Sequence, residues 1–475
     1  MGECKGKNGR VVGNIAYVFS ANVLSLAVSA FSVLIIPKFM SLDDYGIWQL
    51  FLFYFSYVGL FAFGLEDGIY LRYAGYRFED LDTRRMAGQY YLDLGIQLAI
   101  VIAAWMIAAI FLREDASAKV LALLCAVLLS PLAHLYGLSN LILQMTDRIR
   151  EYAKLVLLDG VVFFLCACVL LVVGFCEFRY FYFAKCFSAT CMALGAVWYC
   201  RRLLRPRFDS ACRIFQEAVE NISVGIKLMF ANIANLLIIG NIRYGISLGW
   251  DVATFGKVSL TLSLSNFLLV FINSVSVVFF PIIKRMDEGR RADMYREIRD
   301  VLTFLLFGAL LGYYPLKCML VWWLPKYADS LIYMSILFPV CVFESKVCLL
   351  INTYLKSMRQ EALMLKINIG SVLVSLAITC LAVGIFRDLN LTVFSIVGVY
   401  AFRCIVAEYV TGKLLGLFLG KEILTDVVMC GIFVVTGWLF DDWRCMILYG
   451  AAYGSLLFFK RDRFRKTLTR WRQVS

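Results

Sequence analysis

The chain has 475 residues, of which 61% are hydrophobic and only 17% charged, and its formal net charge is +13. A soluble globular protein is nearer half apolar and one quarter charged, and it could not keep this much apolar surface in water. The composition therefore excludes an ordinary soluble enzyme and, because apolar residues are abundant, a disordered chain. It indicates a protein that crosses the membrane several times.

The positive net charge has two interpretations. In a soluble protein an excess of Lys and Arg suggests nucleic-acid binding. In a membrane protein the same excess collects in the cytoplasmic loops, and this sequence contains no nucleic-acid-binding motif. We therefore expect no nucleic-acid partner, and we place the basic loops, among them the one that ends at Arg299, in the cytoplasm.

Apolar runs of about 20 residues, the length that crosses a bilayer, divide the chain into about fourteen predicted helices. The first run is too long for the apolar part of a signal peptide, so we interpret it as an uncleaved span. The basic loops favour both termini in the cytoplasm, and a twelve-span arrangement with the last two helices in the interface is the alternative. The predicted spans are 11–36, 46–70, 87–112, 118–143, 154–175, 181–200, 222–248, 255–281, 299–323, 329–351, 363–386, 391–416, 425–440 and 445–459.

A weak internal repeat suggests two lobes. An Asp-Tyr-Gly motif at 44–46 follows the first span, and a Thr-Phe-Gly motif at 254–256 follows the seventh. Six helices separate the motifs, and an even number gives both halves the same orientation, as in parallel repeats. The predicted organisation is an N-terminal six-helix lobe at 1–200, a cytoplasmic connection at 201–221, a C-terminal six-helix lobe at 222–420, a terminal helix pair at 421–459 and a basic cytoplasmic tail at 460–475.

The sequence lacks the motifs that are typical of several kinds of binding site. No GxxxxGK[ST] sequence is present, so ATP is not bound by a P-loop of this chain. The sixteen cysteines form no CxxC pair, which argues against a zinc site and a disulfide framework. A single histidine, His134, is too few for a histidine-based metal site, and we expect it to be a hydrogen-bonded polar group within a helix. We therefore predict no metal and no cofactor.

Polar side chains recur on single faces of three predicted spans. A charge at the bilayer centre costs about 2.5–3.5 kcal/mol, so it faces a partner or a hydrated cavity. Serine and asparagine also serve ordinary helix packing in membranes, but several asparagines together with an arginine favour a hydrated cleft. The candidate cavity residues are Asn14 and Asn22 in the first helix, Lys227, Asn232, Asn235 and Arg243 in the seventh, and Asn266 and Asn273 in the eighth.

Several further charges lie within predicted spans. Glu344 and Lys346 are two residues apart and do not share a helix face, so each needs its own partner on another helix. Arg403 lies near the middle of its span, with Glu408 further along the same helix. Such central charges are the hardest to explain without a partner or a function.

Short motifs along nearly the whole chain carry a family resemblance. An Asn-containing first helix ends in Ile-Pro at 36–37, before the Asp-Tyr-Gly motif at 44–46, and the second ends in Gly-Leu-Glu-Asp-Gly at 64–68. The eighth closes with Phe-Pro at 280–281, and the ninth ends in Trp-Leu-Pro-Lys-Tyr-Ala at 323–328. In the order and spacing of these motifs the chain resembles the Wzx-type polysaccharide flippases, the O-antigen and capsule translocases. Their superfamily also holds the MATE exporters and the lipid II flippases.

The resemblance implies an all-α polytopic membrane protein with two six-helix lobes, related by a pseudo-two-fold axis around a central cavity, and a C-terminal helix pair. It implies a transporter, not an enzyme, in the bacterial cytoplasmic membrane. Its substrate would be undecaprenyl-diphosphate-linked oligosaccharide repeat units, flipped to the outer leaflet by alternating access for surface polysaccharide assembly. Its partners would be this substrate, membrane lipid, and the polysaccharide polymerase and export machinery. The chain departs from the family at 241–243, where Asn-Ile-Arg replaces the Asp-Arg pair that members often carry.

Within this interpretation Arg243 and Lys227 would bind the diphosphate, because Arg engages phosphate oxygens bidentately. An inside-negative potential would favour export by about 2.3 kcal/mol per negative charge per 100 mV. Two alternatives stay open: a MATE-like cation-coupled exporter of small molecules, with a less basic cavity, and a polysaccharide polymerase or ligase, which would need a long outer loop. The candidates for proton or sodium coupling are Asp159, Glu344, Arg403 and Glu408.

Overall fold

The structure, a computed structural model, describes residues 27–111, 117–205, 209–265, 288–440 and 443–474. These residues form helices joined by short turns, and none of them lies in a β-strand. The all-α polytopic class predicted from the hydropathy is therefore confirmed. The chain divides into two compact units, Met1–Ile233 and Ala234–Ser475.

Unit 1, Met1–Ile233, contains eight described helices and the first part of a ninth. The ninth, α9, passes through the boundary between the units, so the division falls within a helix and not within a loop. The helices are α1 Ala27–Phe39, α2 Leu42–Phe55, α3 Leu65–Tyr73, α4 Thr83–Phe111, α5 Ala118–Leu128, α6 Ser130–Met145, α7 Ile149–Val173, α8 Phe178–Cys200 and α9 Ala211–Gly249.

Unit 2, Ala234–Ser475, contains the end of α9 and ten more described helices. Two π-helical turns, Lys346–Ile351 and Cys380–Phe386, interrupt its helices. The helices are α10 Val252–Ser265, α11 Glu288–Leu310, α12 Tyr313–Trp323, α13 Ile332–Leu337, α14 Val340–Ser345, α15 Asn352–Ser357, α16 Glu361–Thr379, α17 Leu389–Leu414, α18 Gly420–Leu439 and α19 Trp443–Val474.

In the described part of the chain, ten helices are long and apolar enough to cross a membrane, and eleven if the bent pair α5–α6 forms one span. The predicted spans at 11–36 and 255–281 extend outside the described residues.

The described spans differ in how much of their apolar surface is buried. In the continuous segment Ile332–Ser357, which is the centre of unit 2, 94% of the apolar 18-residue window is buried, whereas only 11% of the corresponding window in α4 or in α7 is buried. Such largely exposed apolar helices suit contact with lipid.

The second predicted span, 46–70, is not one continuous helix. It is broken at Phe63 and Gly64, which have φ angles of 51° and 86°, and α3 begins at the next residue. Glycine is required at this point, because a Cβ on Gly64 would lie 2.7 Å from the backbone nitrogen of Ile226. The break places Glu66 in the first turn of a new helix, where a carboxylate is favoured by the helix dipole.

Glycines bring α3 and α9 into direct backbone contact within unit 1. A Cβ on Gly68 would lie 1.9 Å from the carbonyl oxygen of Asn221, and one on Gly225 would lie 2.0 Å from that of Gly64. Small residues allow membrane helices to approach this closely, since lipid offers no hydrophobic driving force for their association. The position of α3, and of the acidic side chain it carries, therefore depends on these glycines.

The predicted span 118–143 is bent by 43° between α5 and α6. Pro131, the second residue of α6, lacks the N–H that would continue the hydrogen bonds of α5. The bend precedes His134 by one helical turn, so it sets where this side chain points.

Candidate functional site

Arg403 of unit 2 is buried and connects three other helices. Its Nη1 donates to Oε2 of Glu344 at 2.8 Å, its Nη2 donates to Oδ1 of Asn235 at 2.7 Å, and its Nε donates to Oδ1 of Asn368 at 3.2 Å. The second carboxylate oxygen of Glu344 accepts from Sγ of Cys348 at 3.2 Å. The arginine and the glutamate neutralise one another, which removes most of the cost of burying either charge.

Asn235 is the exposed member of this group. Because its side-chain oxygen accepts from Arg403, its amide NH₂ is left pointing away from the guanidinium. The buried ion pair thus fixes the orientation of an exposed hydrogen-bond donor. This donor is suited to hydroxyl or other acceptor groups of a ligand.

Arg243 lies two turns further along α9, in the part of the helix that belongs to unit 2, and it is half-buried. Its Nη2 donates to Oγ of Ser259 at 3.0 Å, and its guanidinium carbon lies 5.2 Å from the ring centroid of Phe255. Both partners are buried residues of α10 and both are uncharged. These two contacts orient the guanidinium.

The other predicted cavity residues divide into two groups. Lys227 and Asn232 are exposed on α9, in its unit 1 part. The four asparagines at 14, 22, 266 and 273 lie outside the described residues. The structure therefore brings Asn235 together with Arg403, and it shows Arg243 in a separate setting beside α10.

The three carboxylates predicted as ion-coupling candidates are all paired with cations. Asp159 of unit 1 accepts from Nζ of Lys185 at 2.8 Å and from Oγ of Ser188 at 2.6 Å. Glu344 is paired with Arg403 as described above. Glu408 accepts from Nε of Arg299. Each of these charges is compensated within its own unit.

The Glu408 pair belongs to a larger buried network in unit 2. Arg299 and Lys346 both donate to Oδ2 of Asp426, and Arg299 also donates to Glu408. All four residues are at most 3% exposed. Two positive and two negative charges therefore offset one another in the interior. Arg299, predicted to lie where a basic loop meets the span 299–323, lies within α11 and is the largest of the fully buried side chains.

The expectation that Glu344 and Lys346 need separate partners is confirmed. The first pairs with Arg403 of α17, and the second pairs with Asp426 of α18. A spacing of two residues turns the two side chains to different sides of the helix, as predicted. The role of Asp426 was missed, because a single acid near the start of a short apolar run looks like a helix-end charge.

His134 of unit 1 has two hydrogen-bond partners, as expected of a polar group within a helix. Its Nε2 lies 3.1 Å from the carbonyl oxygen of Val58, and its Nδ1 lies 2.5 Å from Oε1 of Glu66. Oδ2 of Asp93 is 4.0 Å from the same Nδ1. This grouping could not be predicted from the sequence, because the three side chains come from α3, α4 and α6.

A second charged group in unit 1 lies beyond the apolar spans, where α3 ends. Nη1 of Arg72 donates to Oε1 of Glu217 and Oδ1 of Asn221, at 2.8 and 2.6 Å. The hydroxyl of Tyr73 donates to the same Glu217 oxygen at 2.6 Å. Burial and the neighbouring Glu217 carboxylate raise the pKa of Tyr73 to about 12, so this hydroxyl stays protonated and able to donate. The group attaches α3 to α9.

No protein-family model and no curated protein sequence matches the chain. Solved structures do match it. A structure of the lipid II flippase MurJ in an inward closed conformation has a TM-score of 0.65 at 11% identity, covering 95% of this chain and 99% of that protein. An inward-facing multidrug resistance MATE family transporter of the MOP superfamily has a TM-score of 0.63 at 12% identity, covering 86% and 99%. A MATE protein in a straight conformation has a TM-score of 0.51 at 12% identity, covering 85% and 96%.

At these identities the likeness concerns the fold. It extends over nearly the full length of this chain and of the flippase, so it does not rest on a shared pair of helices. The chain, with its several apolar helices, therefore shares the fold of a lipid II flippase and of MATE transporters.

Proposed function

We propose that this protein is a flippase for undecaprenyl-diphosphate-linked oligosaccharide repeat units in the bacterial cytoplasmic membrane. It moves them from the inner to the outer leaflet by alternating access, for surface polysaccharide assembly. The fold is shared over 95% of the chain with a protein described as a lipid II flippase, which supports a lipid-linked substrate. The observation that carries the proposal is the setting of Arg243.

Arg243 has the properties of a diphosphate ligand. It is half-buried within an apolar helix, and Ser259 and Phe255 hold its guanidinium in place. A planar guanidinium binds phosphate oxygens through paired N–H donors, and a position away from bulk water strengthens this attraction. Lys227, exposed on the same helix, is the second candidate for the diphosphate.

Asparagine side chains are the proposed ligands of the sugars. The amide NH₂ of Asn235 is directed by Arg403 and can donate to a sugar hydroxyl. Asn232 is exposed one turn before it on α9. Asn14, Asn22, Asn266 and Asn273, chosen because polar residues recur on one face of their predicted spans, belong to the same proposed set. The polyprenyl tail needs no polar ligand, because it stays in the lipid.

A coupling role for Asp159, Glu344 or Glu408 would require an ion pair to open during the transport cycle. Each carboxylate is held by a lysine or arginine in this conformation, so the binding of sodium or a proton would compete with that partner. The membrane potential supplies a separate driving force for a dianionic diphosphate, and it requires no titrating side chain.

A MATE-like exporter of small molecules is the second candidate. It is supported by a TM-score of 0.63 to a multidrug resistance transporter, close to the value for the flippase. A polymerase or ligase is the less favoured third possibility. The flippase and the exporter differ in the charge of their substrate, and Arg243 favours an anionic one.

Variants of Arg243 test the proposal in a strain that lacks the chromosomal gene and expresses the protein from a plasmid. Arg243→Ala should reduce surface polysaccharide about tenfold or more, equivalent to at least about 1.4 kcal/mol of lost binding. Lipid-linked repeat units should accumulate in the cytoplasmic leaflet, and Arg243→Lys should retain part of the activity because it keeps the charge. Arg179→Ala, which removes an exposed arginine of α8, is the matched control.

Surface polysaccharide at the wild-type level in Arg243→Ala cells that contain normal amounts of the protein would contradict this site. Loss of resistance to cationic drugs in the deletion strain, with polysaccharide unchanged, would support the exporter instead.

A further inference from the structure

The grouping of Glu66, Asp93 and His134 in unit 1 is not used by the proposed flipping mechanism. One ligand-type atom from each residue lies within 4.8 Å of the corresponding atoms of the other two. Asp93 and His134 are 2% and 3% exposed, and Glu66 is partly exposed. Among the described residues no lysine or arginine forms an ion pair with either carboxylate.

The hydrogen bonds around His134 can be assigned. The carbonyl oxygen of Val58 can only accept, so Nε2 of the imidazole carries a proton and donates to it. Nδ1 and Oε1 of Glu66 are 2.5 Å apart and share one further proton. When that proton leaves, Nδ1 presents a lone pair beside the Glu66 carboxylate. The carbonyl of Val58 therefore favours the neutral imidazole with its proton on Nε2. This tautomer leaves Nδ1 able to bind a metal ion.

Two acceptor atoms next to this pair lack donors. Oδ1 of Asp93 and Oε1 of Gln97 are buried and accept no hydrogen bond from the described residues. Gln97 is 0% exposed, lies one turn after Asp93 on α4 and neighbours its carboxyl group. Its Nε2 donates to the carbonyl oxygen of Phe61, and this bond fixes the orientation of the amide. The amide oxygen Oε1 then has no donor among the described residues. Buried acceptors without a donor are unfavourable, and a cation would satisfy both of them.

The net charge of the site and the types of its ligand atoms together indicate which class of cation it would bind. With His134 neutral, the two carboxylates carry a charge of −2 in a largely buried site. A monovalent ion would leave one negative charge uncompensated, whereas a divalent ion would neutralise both. Imidazole nitrogen favours transition metals over Mg²⁺ and Ca²⁺, and carboxylate and amide oxygens suit Mn²⁺ in particular.

We propose that Nδ1 of His134, the carboxylates of Glu66 and Asp93, and Oε1 of Gln97 form a binding site for a divalent transition-metal ion such as Mn²⁺. The ion takes the place of the proton shared by His134 and Glu66, which is released. The partly exposed Glu66 provides the access route from solvent. This site is independent of the proposed function, because it shares no residue with the proposed ligands of the lipid-linked substrate.

Binding of Mn²⁺ to the purified full-length protein in detergent, after removal of bound metal with a chelator, tests the proposal. Electron paramagnetic resonance counts the bound ions, and Mn²⁺ avoids the many cysteine thiols, which prefer softer metals. We expect one bound ion per chain. Asp93→Asn and His134→Gln should each weaken binding by about 100-fold, and Asp80→Asn, which changes an exposed carboxylate of the same unit, should leave it unchanged.

Gln97→Met is a milder variant that keeps the size of the side chain and removes the amide oxygen, and it serves if either ligand variant does not fold. A wild-type protein that binds no Mn²⁺ at submillimolar concentration would overturn the proposal. Mn²⁺ binding that is the same in the Asp93, His134 and Gln97 variants would also overturn it, as would stabilisation by Na⁺ but not by Mn²⁺.

Discussion

Replacement of Gly68 by alanine tests the packing of α3 on α9. A Cβ at this position would lie 1.9 Å from the carbonyl oxygen of Asn221 and 2.5 Å from its carbonyl carbon. An ordinary contact requires about 3.4 Å or more, so the two backbones would have to separate by more than an ångström. The obstruction is backbone and not the end of a flexible side chain, so a change of rotamer cannot relieve it.

The expected cost of Gly68→Ala is at the upper end of the range for overpacking, about 3 kcal/mol. For a unit of this size, 1 kcal/mol shifts the melting temperature by about 2–4 °C, which gives a decrease of about 6–12 °C. Gly95→Ala is the matched control. It is also a glycine within a helix, but nothing lies within 4 Å of the added Cβ, and alanine is the better helix former.

Thermal unfolding of the purified proteins in one detergent, followed by tryptophan fluorescence, measures both shifts. Gly68→Ala should unfold well below the wild type, and Gly95→Ala at or slightly above it. Equal melting temperatures for the two variants would show that α3 and α9 are not packed backbone to backbone.

Two further predictions concern the buried charges of unit 2 and use the same unfolding measurement. Glu344→Gln leaves Arg403 without its counter-charge and should cost about 3–5 kcal/mol, and adding Arg403→Met should recover much of that loss. A double variant as unstable as the single one would contradict this coupling. Asp426→Asn should be at least as destabilising, because both Arg299 and Lys346 donate to this carboxylate, and a loss below about 1 kcal/mol would show that the network is not formed as described.

The fold class could be predicted because lipid and water select different residues over about 20 positions at a time. The continuous apolar runs identified the membrane helices, and most predicted spans lie within observed helices. The break at Gly64 could not be predicted. It results from the approach of Ile226 and Asn221 on α9, more than 150 residues later, and α3 by itself has an ordinary helical sequence.

For the site residues too, neighbouring sequence predicted some features, whereas features that depend on distant helices could not be predicted. A charge within an apolar run indicates that a partner exists, and this was enough to predict separate partners for Glu344 and Lys346. It does not identify the partner, because Arg403 and Asp426 lie on other helices. The buried role of Arg299 was missed because its neighbours in the sequence are basic and were assigned to a loop. The apolar run that begins at Arg299 was a signal that this residue enters the membrane region.

The most direct test of the proposed function is reconstitution of the purified protein in liposomes that carry a fluorescent undecaprenyl-diphosphate-linked oligosaccharide. An enzyme added outside, which cleaves the glycan, reports how much substrate reaches the outer leaflet. The proposal predicts that wild-type protein makes nearly all of the substrate accessible, and that Arg243→Ala behaves like liposomes without protein. Accessibility that remains at one half with correctly folded wild-type protein would contradict a flippase.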